Sequence, residues 1–376
     1  MKIIIAPDSF KGSLSAREAA RAIEEGLRRS GIQADYVQVP MADGGEGTVR
    51  SLVDATRGTI VDAQVTGPLG DPVQAYYGIL GDDRTAVIEM AAASGIQFVN
   101  EKTKNPLITT TYGTGQLIKE ALDRGVDEFI IGLGGSATND GGAGMAQALG
   151  VRLLDGRDRD LPYGGKALEN LARIDCSGLD PRLTKARIRL ASDVTNPLTG
   201  PQGASAVFGP QKGANQAMIQ TLDAALGHYA DVIRRDLGRD VEQTAGAGAA
   251  GGLGAGFLAF TDAGMHSGIR IVVETTGLKD KARGADICFT GEGGIDFQTK
   301  FGKTPMGTAQ AVKEVAPDCK VIALAGSVGE GIDQLYQIGI DAVFGISPGA
   351  VSLDQAIEGT STNLARVAEN IGRLIR

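Results

Sequence analysis

The run from Ile130 to Gly144, IIGLGGSATNDGGAG, constrains what this chain can fold into more than any other stretch. An apolar, strand-like segment, EFII, enters a loop made almost wholly of Gly, Ser, Thr, Asn and Asp. A small-residue helix pattern, GMAQALG, leaves it. Glycine has no Cβ to keep backbone N–H groups from a ligand, and a helix N-terminus adds positive dipole. The segment therefore predicts a strand–loop–helix unit with a place for an anion. A second cluster, TGEGGID at 290–296 followed by GKTP at 302–305, repeats the theme with carboxylates and a lysine. Together the two clusters point to phosphate chemistry.

The rest of the chain alternates in the same way. At the start, 2–6 reads as a strand, SARE at 15–18 as a capping box opening a helix to about 29, 34–39 as a strand and 48–56 as a helix. The end reads strand 285–289, helix 306–315, strand 321–325, helix 332–338, strand 342–346 and a closing helix 353–375. Apolar strands separated by helices predict a parallel sheet covered on both faces. The middle differs. It reads as strand, turn and strand over 62–88, a loop-heavy stretch at 155–185, a strand at 187–192 and a long helix at 214–237. A small-residue run at 245–256 reads as a tightly packed helix start.

At 376 residues the chain is long enough for two domains. The fold class is α/β with two α/β domains. An outer one is built from both chain ends, 1–65 plus 284–376. The second, 66–283, is inserted and carries the Gly-rich loop. The cleft between such domains is the natural site.

Composition narrows the chemistry. Glycine takes 55 of 376 positions, about twice the usual ~7%, and it clusters without period, as tight loops require and collagen does not. Aromatics make up 5% and Trp is absent, which disfavours base-stacking platforms. A net charge of −8 disfavours nucleic acid and anionic membrane as partners, but not a small anionic substrate. Cys176, Cys288 and Cys319 are scattered and odd in number, as in a reduced, cytoplasmic protein. MKIIIAPDSFKG reads as a first strand rather than a signal peptide, and no apolar run approaches membrane length. The two histidines, His228 and His266, sit in no nucleophile or zinc pattern, and His228 falls mid-helix as a surface or packing residue.

In open α/β sheets ligands lie beyond the carboxyl ends of strands, and four motifs fall there. In PDSFKG, Asp8 could bind Mg²⁺ or a hydroxyl, Ser9 could donate to an anion, and Lys11 could pair with phosphate or carboxylate. The bland alternative is a capped turn. In DGGEGT an N-capping turn explains one of Asp43 and Glu46 but not both. SDVTNP offers Asp193 as a base or Mg²⁺ ligand, with Lys212 of FGPQKG shortly after. Glu292, Asp296 and Lys303 offer the same combination near the C-terminal end. Within the Gly-rich loop, Gly134, Gly135, Ser136, Thr138, Asn139 and Asp140 are the candidates for phosphate or substrate. GKT at 302–304 looks like the end of a Walker A loop, but Phe297 stands at the required first glycine and Pro305 follows. No dinucleotide fingerprint follows the first strand, which argues against an NAD-dependent dehydrogenase.

At these residues the chain resembles the bacterial type-I glycerate kinase family. The resemblance runs through KIIIAPDSFKGSLSA, PMADGGEGT, TTYGTGQLI, IGLGGSATNDGGAGMAQALG, SDVTNPLTGPQGA, FGPQKGA, GAGAAGGLG, TGEGGIDFQT and GKTPMGTA, in that order. One departure is Gly294, where the family often has Arg, so Lys303 or Lys11 would supply the charge there. The resemblance implies ATP- and Mg²⁺-dependent phosphorylation of D-glycerate, to 2-phosphoglycerate, between two α/β domains. A consistent mechanism puts Asp193, Glu292 and Asp296 on Mg²⁺. The Gly-rich loop and lysines take phosphate or the substrate carboxylate, and Asp193 or Asp8 orients or deprotonates the attacking hydroxyl. Oligomeric state stays open between monomer and homodimer. A kinase for another small hydroxy acid, or a non-catalytic ligand-binding module, is the alternative.

Overall fold

The computed structural model describes residues 1–376 apart from Phe301. The chain forms two compact units, one of Met1–Arg57 with Ser267–Arg376, the other of Gly58–His266. The first is built on a five-stranded, all-parallel sheet in the order Ala342–Gly345, Lys320–Val328, Ile287–Ile295, Lys2–Ile5, Asp35–Gln38. Ile3, Ile4 and Ile5 are fully buried, as expected for a parallel strand covered on both faces. Burying each stabilises the fold by about 1.5–3 kcal/mol.

Helix Ala16–Arg29 opens on the expected capping box, with Ser15 Oγ accepting from the Glu18 N–H and Glu18 accepting from the Ser15 N–H. It packs against the last helix, Thr360–Ile375, closely enough that a Cβ on Gly26 would lie 2.0 Å from the Ala365 carbonyl oxygen. Ile23, Leu27, Phe289, Leu324, Leu364 and Ile371 fill the space between this pair and the sheet.

The second unit carries a six-stranded mixed sheet in the order Gly264–His266, Arg187–Ala191, Glu128–Gly132, Thr85–Glu89, Pro72–Ile79, Thr59–Thr66. The first four strands are parallel, and the last two pair antiparallel through the turn at 67–71. One face packs on helix Tyr112–Asp123 through Leu117, Ile118, Phe129 and Ile131. A further core gathers Leu226, Tyr229 and Ile233 of the long helix Gln216–Leu237 with Leu153, Leu168 and Ile174.

Several boundaries move for physical reasons. Residues 59–66 form an antiparallel ladder with 72–79, so they belong with the second unit rather than with 1–65. Helices Gly268–Thr276 and Leu278–Ala282 pack on Thr304–Val315 of the first unit, ahead of a junction expected at 283. The strand expected to stop at 289 runs on to Ile295, pairing residue by residue with 320–328. Its glycines hide the continuation, since they carry no alternating side chains. The closing helix is two, Leu353–Glu358 and Thr360–Ile375. The small-residue run does begin a packed helix, Ala249–Phe260, whose first turn is kinked by left-handed backbone at Ala250, Gly251 and Gly252. No described helix is long and apolar enough to cross a membrane.

Candidate active site

In the first unit the chain leaves strand Lys2–Ile5 towards one side of the sheet and later builds Ile287–Ile295, Lys320–Val328 and Ala342–Gly345 on the other. The strand order therefore reverses between Lys2–Ile5 and Ile287–Ile295, which is where open α/β sheets leave a crevice at the strands' carboxyl ends. Asp8 stands there: its N–H donates to the Gly291 carbonyl at 2.8 Å, next to Glu292. One Asp8 oxygen accepts from the Ser9 N–H at 2.6 Å and from Ser9 Oγ at 3.2 Å. The other accepts from Thr304 Oγ1 at 2.5 Å, in the first turn of helix Thr304–Val315. Burial, reinforced by the nearby Asp43 charge, pushes the Asp8 carboxyl up to about 6 against the pull of Thr304, Ser9 and Lys11.

Glu292 behaves in the same way. It accepts from Thr299 Oγ1 at 3.3 Å, and Lys303 Nζ lies 3.8 Å from it. Burial, with Asp8 and Asp43 adding repulsion and Lys303 opposing, raises it to about 7. Asp43 Oδ1 accepts from the Gly45 N–H at 2.9 Å. The Asp43 backbone is approached so closely by helix Gly268–Thr276 that a Cβ at Gly268 would sit 1.9 Å from its carbonyl oxygen. Lys11 and Glu46 are exposed. This end of the sheet thus gathers three mutually repelling carboxylates with two lysines.

In the second unit, strand Glu128–Gly132 delivers the Gly-rich loop beside the end of Arg187–Ala191, with Leu133 N–H bonded to the Ala191 carbonyl at 3.3 Å. Asp193, exposed, leaves that neighbouring strand end, so Asp193 and the loop share one edge. The loop divides into an open and a sealed part. Gly134 and Gly135 are exposed, Gly135 has φ 73°, and among the described residues no group accepts from the N–H of Gly134, Gly135 or Ser136. Consecutive free N–H groups around a left-handed glycine form an anion-binding concavity.

Thr138, Asn139 and Asp140 turn inward and are fully buried. Asp140 accepts from the N–H groups of Thr111, Gly142 and Gly144 and from Thr111 Oγ1, at 2.8–3.2 Å. Burial raises its carboxyl; those four donors oppose the shift. Asn139 Nδ2 donates to Ser205 Oγ at 3.0 Å. Lys212, only 1% exposed, donates to the Thr138 carbonyl at 2.6 Å, and burial lowers it to about 7.

Among the sequence candidates, then, Asp8, Ser9, Lys11, Asp43, Glu46, Glu292 and Lys303 fall in the region of one strand-end cluster. Gly134, Gly135, Ser136 and Asp193 fall at the other. Thr138, Asn139, Asp140 and Lys212 instead sit inside the protein and hold the loop together. Asp296 caps the turn Phe297–Phe301, its Oδ1 accepting from the Gln298 N–H at 2.8 Å. Among the described residues no three His, Cys, Asp or Glu side chains gather into a metal cage. Mg²⁺ usually takes only one or two protein carboxylates and completes its shell with phosphate and water, and Asp8 with Glu292 is a donor pair of that kind.

Thr304, Thr299, Thr111 and Ser205 escaped the sequence reading. Thr304 lay inside a quoted GKTP motif, and its neighbour Pro305 occupies the first helical turn, where proline is tolerated. His228 is exposed and its ring bonds the Leu171 carbonyl at 2.7 Å.

The model of the glycerate kinase family matches residues 3–376. The chain belongs to the glycerate kinase family. It is 55% identical over 376 residues to a glycerate kinase of Bacillus subtilis, covering all of this chain and 98% of that protein. It is 52% identical to the glycerate 2-kinase of Escherichia coli, with 99% and 97% covered. The crystal structure of a Salmonella typhimurium LT2 protein superposes with a TM-score of 0.90 at 52% identity, covering 100% of this chain and 98% of that one. Glycerate kinase membership makes this chain an enzyme, a phosphotransferase to an alcohol group.

Proposed function

We propose that the chain transfers the γ-phosphoryl of ATP to the 2-hydroxyl of D-glycerate, giving 2-phosphoglycerate. The observation that carries this most is the pair Asp8 and Glu292 at the reversal of strand order, two carboxyls held near neutrality by burial. A carboxyl whose pKa sits near the working pH is suited to accept a hydroxyl proton. Phosphoryl transfer otherwise needs positioning and charge neutralisation. In this reading Lys11 and Lys303 supply the cations, the N–H groups of Gly134, Gly135 and Ser136 receive phosphate or the substrate carboxylate, and Asp8 or Asp193 orients and deprotonates the hydroxyl. Glu292, with Asp8 as a second oxygen donor, would hold Mg²⁺, which would neutralise phosphate charge. Gly294 places no side-chain cation in this region, leaving that work to Lys303, which lies beside Glu292. The three cysteines are unpaired, and the proposal assigns the enzyme to the cytoplasm.

³¹P NMR of the protein with D-glycerate, ATP and Mg²⁺ tests the reading. A phosphomonoester at the 2-phosphoglycerate position, growing with ADP, is expected. A 3-phosphate signal overturns the regiochemistry, and no new ester overturns the substrate. Asp193→Asn measured beside it should lower kcat far more than stability; wild-type turnover removes Asp193 from the mechanism.

A further inference from the structure

Lys212 belongs to a short turn, Pro210–Lys212, that follows helix Ala204–Phe208. Both pieces grip the Gly-rich loop from inside. Ser205 on the helix accepts from Asn139, and Lys212 reaches the carbonyl of Thr138 across 74 residues of sequence. From another side the same carbonyl meets Gly251, where a Cβ would come within 2.0 Å of its oxygen, and the Gly251 carbonyl accepts from Gly141 at 3.1 Å. Asp140 supplies the opposing charge and has its own four donors on the loop and on Thr111. The loop also carries unsatisfied groups, Thr138 Oγ1 and Asn139 Oδ1, and the hydroxyl of Tyr229, on the long helix beside Gly141, finds no hydrogen-bond partner either. Such groups cost free energy, and a loop holding them keeps one shape only where other bonds over-determine it.

We propose that Lys212 is a positioning residue: its ammonium holds the Thr138 carbonyl from inside the unit and so keeps the open stretch Gly134–Ser136 shaped to receive an anion. This rests on the reading that Gly134–Ser136 binds phosphate or carboxylate. Lys212 therefore does not touch the reactants. An Nζ this enclosed, already donating at 2.6 Å into the loop, has its direction set by the protein. Asn139 and Ser205 add a second, weaker tie one residue further along.

The experiment compares wild type, Lys212→Met and Ser205→Ala as full-length proteins, by hydrogen–deuterium exchange over 132–144 and by steady-state kinetics with ATP and D-glycerate. Losing a charged hydrogen bond should speed loop exchange about 10- to 100-fold in Lys212→Met, with 2–11 unchanged. KM for the reactant bound at the loop should rise by a similar factor, with a smaller change in kcat. Ser205→Ala should shift both in the same direction, by less. Wild-type exchange in Lys212→Met overturns the proposal, and a raised KM alongside it would make Lys212 a direct ligand. Faster exchange with unchanged KM for both reactants also overturns it. If Lys212→Met does not fold, Lys212→Gln keeps an N–H donor without the charge and carries the same two readouts. Exchange is read without substrate, so inactivity of the wild type towards D-glycerate would sink the kinase reading while the loop measurement still decides the role of Lys212.

Discussion

Asp8 and Asp140 are both buried aspartates next to glycine-rich turns at strand ends, yet the protein uses them in opposite ways. Asp140 has four donors arranged around it and closes a backbone knot. Burial opposes the ionised form of both, but Asp8 has only three donors and also faces the charge of Asp43. The difference teaches that polarity in a loop does not distinguish a working carboxylate from a structural one. What distinguishes them is whether the surroundings satisfy the charge or leave it in tension. Free energy held in such tension is available to a reactant that relieves it.

The same isosteric change at both positions should separate them. Asp8→Asn should reduce kcat by about 10²–10⁴-fold, the range for loss of a general base. It should leave Tm at pH 8 equal or higher. The sign follows from the raised pKa. Folding favours protonated Asp8, so its penalty is absent below about pH 4, grows as pH rises, and is complete above about pH 6. Removing the charge removes that penalty. A Tm at pH 8 lowered by several degrees would mean that Asp8 is structural after all, and the comparison would collapse.

Asp140→Asn should do the reverse. It sets an amide NH₂ against backbone N–H donors and leaves buried Lys212 without its counter-charge, at a cost of about 3 kcal/mol in denaturant unfolding. Full stability with lost turnover would move Asp140 to the reactants.

A pH profile sharpens the first half of the contrast. If ionised Asp8 and Glu292 do the work, kcat/KM of the free enzyme should fall on the acid side with apparent pKa values between about 6 and about 7. An acid limb near pH 4 would show that neither group is rate-determining. The smallest effect is expected at Asp296. Its replacement by Ala removes an N-cap bond worth about 1 kcal/mol and should change turnover less than about twofold. A tenfold loss would restore it as a metal ligand.

Much of this was legible in the sequence. The capping box at Ser15 and Glu18, the buried isoleucines of the first strand and the helix at 48–56 depend on neighbours within a few residues, and the structure has them where the pattern predicts. The clustering of polar residues at strand ends was also visible, because parallel strands return there by chain geometry. Glu292 was harder to place. Glycines on both sides erased the alternation that would have extended its strand to Ile295.

What the sequence determined by itself was local and periodic: an α/β chain with loops fit for an anion at the ends of its strands, and membership of the glycerate kinase family. Only the tertiary structure decided which loop residues face outward. Thr304 meets Asp8 across 296 residues and Lys212 meets Thr138 across 74. No short-range propensity carries that information. Burial sets the charge state of a carboxylate or an ammonium, and burial comes from elements that packing, not sequence neighbourhood, brings together.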